Sequence, residues 1–224
     1  ALNGLGGDEL LGGYSSFRDL PLASRALALP SRIPFLGKAV RGLVKNLIRP
    51  TDSKDIKLSA LLEYGGSWES LYYLRRAIFL MDELESVLGK EIAHEGLRRL
   101  DLFKKFKSYI QKNQRGQTRG SDPFVKVACL EGSSYMRSQL LRDADWASMA
   151  HSLELRTPFV DAWLVRELAP ALIGLNLKGG KGKRYLAQSP NRSLPEKVMS
   201  KPKTGFTPPM DEWVKAAGLD DWRE

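Results

Sequence analysis

The sequence of 224 residues predicts a mainly α-helical protein. Apolar residues recur at steps of three and four over long stretches, almost no segment alternates with period two, and Pro and Gly punctuate the periodic segments as turns between short helices do. A hydrophobic content of 42% can fill a core. No apolar run approaches the length of about eighteen residues that spans a bilayer, which predicts a soluble globular protein with no membrane partner. The one cysteine, Cys129, excludes an internal disulfide and suits a reducing compartment, so a cytoplasmic location is expected. Its neighbours in FVKVACLEG make it an inert buried thiol rather than a nucleophile.

Residues 8–20 start the helical pattern, with Asp8 and Glu9 in the first turn, where the helix dipole favours anions. Pro21, Pro30, Pro34 and Pro50 break the next stretch into short helices and turns. After the turn at Gly65-Gly66-Ser67, the residues Leu71, Leu74, Ile78, Met81, Leu84 and Leu88 form the stripe of one amphipathic helix ending near Gly89. A second helix carries Ala93, Leu97, Leu100, Phe103 and Ile110 on its apolar side. The polar stretch 112–122 predicts a mobile loop. Pro123 then opens a helical region to about Leu153, with an interruption expected near Arg142. Pro158 and Asp161 mark a helix entry, Asp161 being the N-cap of AWLVRELAPAL. Residues 175–182 form a Gly/Lys loop, and prolines divide the remainder into short helices.

Three segments carry the residue types of a site. In ALNGLGGDELLGGY, glycines give up packing and backbone entropy, about 0.5–1 kcal/mol each inside a regular element, so their clustering needs a reason. A tight turn is one. A cradle for phosphate is the other: backbone N–H groups and a helix N-terminus attract the anion, and a neighbouring carboxylate holds Mg²⁺. Asp8 and Glu9 point in different directions, so one suits the metal and the other a structural role. No strand is evident before this loop to hold it, which suggests a chain that begins in mid-domain. The second segment, LLRDADWASMAHSLELRTPFVD, mixes Asp143, Asp145, Glu154, Arg156 and Asp161 with enough apolar residues to predict burial. Buried charges are paired or used, so an internal ion-pair network around Arg156 and an acid/base role both stand open. His151 has no second His or Cys at metal-ligand spacing and reads as a packed or capping residue. In the third segment, KPKTGFTPPMDEW, prolines and Gly205 fix a loop that can aim a lysine at developing negative charge. The stretch GGKGKR at 179–184 fails as a P-loop, because Leu177 and Arg184 stand where Gly and Ser or Thr are required.

Taken in order, GLGGDELLGGY, SLYYLRRAIF, LLRDADWASMAHSLELRTPFVD, KGKRYL and KPKTGF with Trp213 resemble the synthetase domain of the glutamine-dependent asparagine synthetase family. The resemblance spans nearly the whole chain. It implies that residues 1–224 are the helical C-terminal part of an α/β ATP-pyrophosphatase-like domain. The glutaminase domain and the ATP-gripping Ser-Gly-Gly-x-Asp-Ser loop of complete members do not occur in this sequence. The implied chemistry activates the carboxylate of aspartate with ATP and Mg²⁺, releases pyrophosphate, and transfers ammonia derived from glutamine. By this resemblance Asp8 is a Mg²⁺ and pyrophosphate ligand, and Asn3, Gly4, Leu5, Gly6 and Gly7 line the substrate and phosphate side. Lys203 stabilises the adenylation transition state, and Lys183 reaches the phosphates. Asn3 departs from the family's serine, and Leu5 stands where a polar or acidic residue is usual, so another carboxylate acceptor, or a role for Asp143 or Asp145, is also compatible.

The net charge of +9 suits an anionic partner. A basic, helical nucleic-acid-binding module is the rival from another class, although no recognition motif appears and the charges are not gathered on one helix. A catalytically silent family relative is the other. The sequence leaves a homodimer open and predicts that this stretch by itself binds ATP poorly.

Overall fold

Glycine decides where the first helix stops. Gly12 sits at φ 69° and terminates α1 (Gly7–Leu11), so the helical stretch expected over 8–20 is divided between α1 and α2 (Ser16–Ala26). The computed structural model describes residues 1–29, 35–48, 53–112, 122–174, 182–192, 194–201 and 208–218. The expected polar loop at 112–122 and the Gly/Lys loop at 175–182 fall largely outside these. The chain divides into two units, Ala1–Tyr185 and Leu186–Glu224. Both are helical where described, as the sequence predicts.

In the first unit α3 (Leu36–Ile48), α4 (Ser53–Ser59) and α5 (Leu61–Tyr64) follow α2. Arg41 of α3 is buried and reaches Glu63 of α5 at 3.1 Å and Asp82 at 2.9 Å. Burial opposes its charge, but the two carboxylates hold the guanidinium ionised.

The stripe from Leu71 to Leu88 forms two helices rather than one. Ser67 caps α6 (Trp68–Arg76) by accepting from the Ser70 N–H, and the chain turns extended at Ala77. The Tyr73 hydroxyl donates to the Phe79 carbonyl, and the Glu83 carboxylate accepts from the Leu80 N–H. These side-chain bonds satisfy backbone groups outside a helix, and Ile78 is left exposed. The short α7 (Leu84–Leu88) follows. The second predicted helix is likewise divided, into α8 (Lys90–Leu100) and α9 (Leu102–Lys112), by Asp101 at φ 37°.

Asp122 caps α10 (Pro123–Leu130) by accepting from the Phe124 N–H at 2.8 Å. The helical path then widens into a π-helical segment, Glu131–Leu140, before α11 (Leu141–Met149). No interruption occurs at Arg142; the irregularity lies in the preceding turns. Stretches of π-helix often serve functional positions, and this one opens on a fully buried glutamate. A 3₁₀ turn (Pro158–Val160) leads to α12 (Ala162–Gly174), with Asp161 accepting from the Leu164 N–H as an N-cap. The unit closes on α13 (Gly182–Gln188), which runs just past its end.

The core gathers Leu20 of α2, Tyr64 of α5, the run Leu71–Leu74 of α6, Phe106 and Ile110 of α9, and Val127 and Leu130 of α10. Four consecutive buried residues mark α6 as the central helix. Tyr72 meets Phe106 edge-on at 5.2 Å, and Tyr73 meets Phe103 at 5.7 Å, the arrangement aromatic quadrupoles favour. The second unit holds α14 (Glu196–Met199) and α15 (Met210–Ala216). No helix among the described residues is long and apolar enough to cross a membrane.

Candidate functional site

The opening glycine loop has a support that the sequence did not disclose. Leu2 forms a parallel bridge with Arg156, the Asn3 N–H donates to the Arg156 carbonyl at 2.8 Å, and the Arg156 N–H donates to the Ala1 carbonyl at 2.8 Å. A strand-like start therefore precedes the loop, and α1 follows it. The Asn3 side chain accepts from the Leu5 N–H at 3.0 Å and closes the turn through Gly4. Gly6 lies at φ 89°, and a Cβ there would stand 2.8 Å from the Val160 side chain and 3.1 Å from the Phe159 backbone. Only glycine lets the loop rest on the 3₁₀ turn. The first and second segments thus meet through their backbones.

Asp8 occupies the first turn of α1. Lys183, from α13, places its Nζ 2.5 Å from Asp8 Oδ1, so two residues singled out far apart in the sequence are brought together. Gly13 leaves room for them: a Cβ there would lie 1.9 Å from Asp8 Oδ1 and 2.7 Å from Lys183 Cε. Glu9 turns the other way and is buried, accepting from the Tyr14 hydroxyl at 2.9 Å. Burial pushes the Glu9 carboxyl up from the usual carboxylate range, and the adjacent Asp8 adds to this. It also pushes the Tyr14 phenol up, as does the charge of Glu9.

Behind this turn lies a polar network that sequence reasoning missed. Glu131 is fully buried and accepts from Ser16 at 2.6 Å, from Tyr72 at 3.0 Å, and from Arg76 through Nε at 3.0 Å and Nη2 at 2.7 Å. The Arg76 guanidinium stands 3.6 Å from the centre of the Tyr135 ring and 5.1 Å from that of Tyr14. Burial works against the charge of Arg76, but Glu131 holds it ionised. Glu9, Tyr14, Arg76 and Glu131 therefore link α1 to α6 and to the π-helical segment. The available signal was an acidic residue ending the apolar run VKVACL, together with the paired arginines of LYYLRR.

The second segment is not buried as predicted. Asp143, Asp145, Trp146, Met149, His151, Glu154 and Arg156 are all exposed. Arg156 does pair with Glu154, at 2.9 Å, but on the surface, where such a pair contributes little. The apolar content that suggested burial lies along α11 and its exit on the described surface, so no internal network around Arg156 forms there. His151 is exposed rather than packed, and it stands just past the end of α11 with its backbone N–H donating to the Ser148 carbonyl at 3.0 Å. Cys129 is half-buried and borders a cavity. Lys203 lies outside the described residues.

Asp8 supplies an anionic oxygen of the kind a divalent cation takes, and the Lys183 ammonium pairs with that oxygen in this structure. No cluster of three His, Cys, Asp or Glu occurs among the described residues.

The family model for asparagine synthase matches residues 1–224. The chain belongs to the asparagine synthase family. A Bacillus subtilis (strain 168) relative, asparagine synthetase (glutamine-hydrolysing) 1, is 28% identical over 224 residues, covering 99% of this chain and 32% of the relative. A Mycobacterium tuberculosis (strain H37Rv) relative, assigned as an asparagine synthetase (glutamine-hydrolysing), is 27% identical over 225 residues, covering 99% of this chain and 31% of the relative. The chain thus spans about a third of the length of the curated relatives it matches. No solved structure matches it.

Proposed function

We propose that residues 1–224 are the C-terminal portion of a synthetase domain that uses ATP and Mg²⁺ to convert a carboxylate, aspartate in the first instance, into its amide. The observation that carries this reading is the meeting of Asp8 and Lys183 at the glycine loop, a carboxylate and an ammonium where a helix begins. The acceptor's carboxylate oxygen attacks the α-phosphorus of ATP, the bond to the β-phosphate breaks, and pyrophosphate leaves. Ammonia from glutamine then attacks the acyl carbon, and AMP leaves as the amide forms and a proton is lost. Mg²⁺ on Asp8 would neutralise phosphate charge. Lys183 would pass from Asp8 to a phosphate oxygen, and Lys203 would stabilise charge developing in the first step. By the resemblance the amides of Gly4 and Gly6 would face the anion, the Gly7 N–H donating instead to the Gly4 carbonyl at 3.2 Å. The working compartment is the cytoplasm, and small molecules are the partners.

Lys203→Ala is expected to reduce pyrophosphate release in the complete protein by at least about 100-fold, the scale of losing one positioned electrostatic donor. Helical circular dichroism should remain unchanged, and full retained activity would remove Lys203 from the site. Gly13→Ala carries a different expectation. The added methyl collides with Asp8 Oδ1, so the carboxylate must turn away from Lys183, and the rate of pyrophosphate release should fall by more than about tenfold with little change in melting. Saturating Mg²⁺ should restore part of that rate if the lost group is a metal ligand.

A further inference from the structure

One of the two carboxylate oxygens that Asp8 offers a divalent cation is already covered in this structure. Asp8 Oδ1 is buried although the side chain as a whole is 23% exposed, and two groups lie against it. The Lys183 ammonium stands 2.5 Å away. Gly13, in the turn after α1, is so close that a Cβ there would collide with both Oδ1 and the Lys183 stem. Its backbone is tied down, because the Gly13 N–H donates to the Asp8 carbonyl at 2.8 Å, so uncovering the oxygen falls to Lys183. That side chain is 49% exposed, and its four-carbon stem is flexible. We propose that Lys183 is a lock on Asp8: it competes with a divalent cation for the carboxylate, so that the cation settles there only together with an anion that draws the lysine away. The inference rests on the reading of Asp8 as the cation's ligand in the amide-synthetase site.

Mg²⁺ sits about 2.0–2.1 Å from its oxygens, closer than the ammonium does, so the two cannot share Oδ1. A cation on the second oxygen would not escape the conflict, since both oxygens belong to one carboxylate and the like charges would stand near contact. The coupling is reciprocal. Whatever draws Lys183 off Asp8 raises the affinity for the cation by the factor by which the cation weakens the hold on the lysine. A polyphosphate suits this part, being multiply anionic and itself a ligand for Mg²⁺, whereas the acceptor's carboxylate brings a single charge. The loop would therefore load cation and polyphosphate as a pair and resist a divalent cation arriving alone.

The test is a titration of the complete protein with Mn²⁺ in the absence of ATP, followed by electron paramagnetic resonance. Lys183→Met should bind Mn²⁺ at least about fivefold more tightly than the unaltered protein, the scale expected when a neighbouring unit of positive charge is removed. Arg184→Met takes the same charge from the next position of α13, where the side chain is exposed, and should stay within about twofold. Adding Asp8→Asn to Lys183→Met should abolish the gain, and Lys183→Gln repeats the measurement if Lys183→Met fails to fold. No gain in the folded Lys183 variants, an equal gain in Arg184→Met, or a gain that survives Asp8→Asn overturns the inference. Pyrophosphate release from ATP by the unaltered protein separates the two claims. Release without the gain in Mn²⁺ affinity removes the lock and leaves the synthetase reading, whereas the gain without ATP cleavage for any acid keeps the lock and removes that reading.

Discussion

Asp8→Asn is expected to lower pyrophosphate release by at least about 100-fold while the helices stay folded. Asparagine keeps the size of the side chain and one oxygen but removes the charge that pairs with Lys183. Two functions are lost together. The neutral amide is a poor ligand for Mg²⁺, which prefers anionic oxygen, and Lys183 loses the partner that holds it beside the loop. Because Asp8 lies in the first turn of α1 and is partly accessible, stability should change by less than about 1 kcal/mol. Raising Mg²⁺ should recover little of the rate, unlike the partial recovery expected for Gly13→Ala. Steady-state pyrophosphate release across a Mg²⁺ series checks both expectations. An Asp8→Asn protein of normal rate would detach Asp8 from the chemistry.

Glu131→Ala should produce the largest loss of stability of any single substitution considered, about 3–5 kcal/mol, because it strips one partner from a buried ion pair. The carboxylate is fully buried and takes four hydrogen bonds, two of them from Arg76. Its removal leaves a largely buried guanidinium facing the Tyr14 and Tyr135 rings, and it leaves the Tyr72 hydroxyl without this acceptor. The Glu131→Leu, Arg76→Met double variant removes the charge with its partner and should lie closer to the unaltered protein than the sum of the single changes. Urea melts of the two singles and the double measure the coupling. A loss below about 1 kcal/mol for Glu131→Ala would mean that the network is not a structural centre.

The sequence displayed helix type well and helix limits poorly, for reasons visible at particular residues. The stripe from Leu71 to Leu88 has the right period throughout, but the break at Ala77 is made by bonds from Tyr73 and Glu83 side chains that periodicity cannot register. The Asp161 cap was legible because an N-cap is a local signal. The pairing of Leu2 with Arg156 was not, since a single bridge has no alternation to read. Asp8 stood out by composition and Lys183 only through the family resemblance, whereas their meeting depends on Gly13, whose role is to lack a side chain. Asp143, Asp145, Glu154 and Arg156 misled in the opposite direction. Apolar neighbours implied burial, yet α11 and the segment that follows it present these charges to solvent along with Trp146 and Met149. Glu131 was overlooked because a lone glutamate after an apolar run has no motif, and its importance comes from Ser16, Tyr72 and Arg76.

The most direct test of the amide-synthetase reading is a product balance on the complete protein supplied with ATP, Mg²⁺, glutamine and aspartate. AMP, pyrophosphate and a new amide are expected in equal amounts, with all three lowered at least about 100-fold in Asp8→Asn. ADP and orthophosphate as the products, or no ATP cleavage, would contradict that reading.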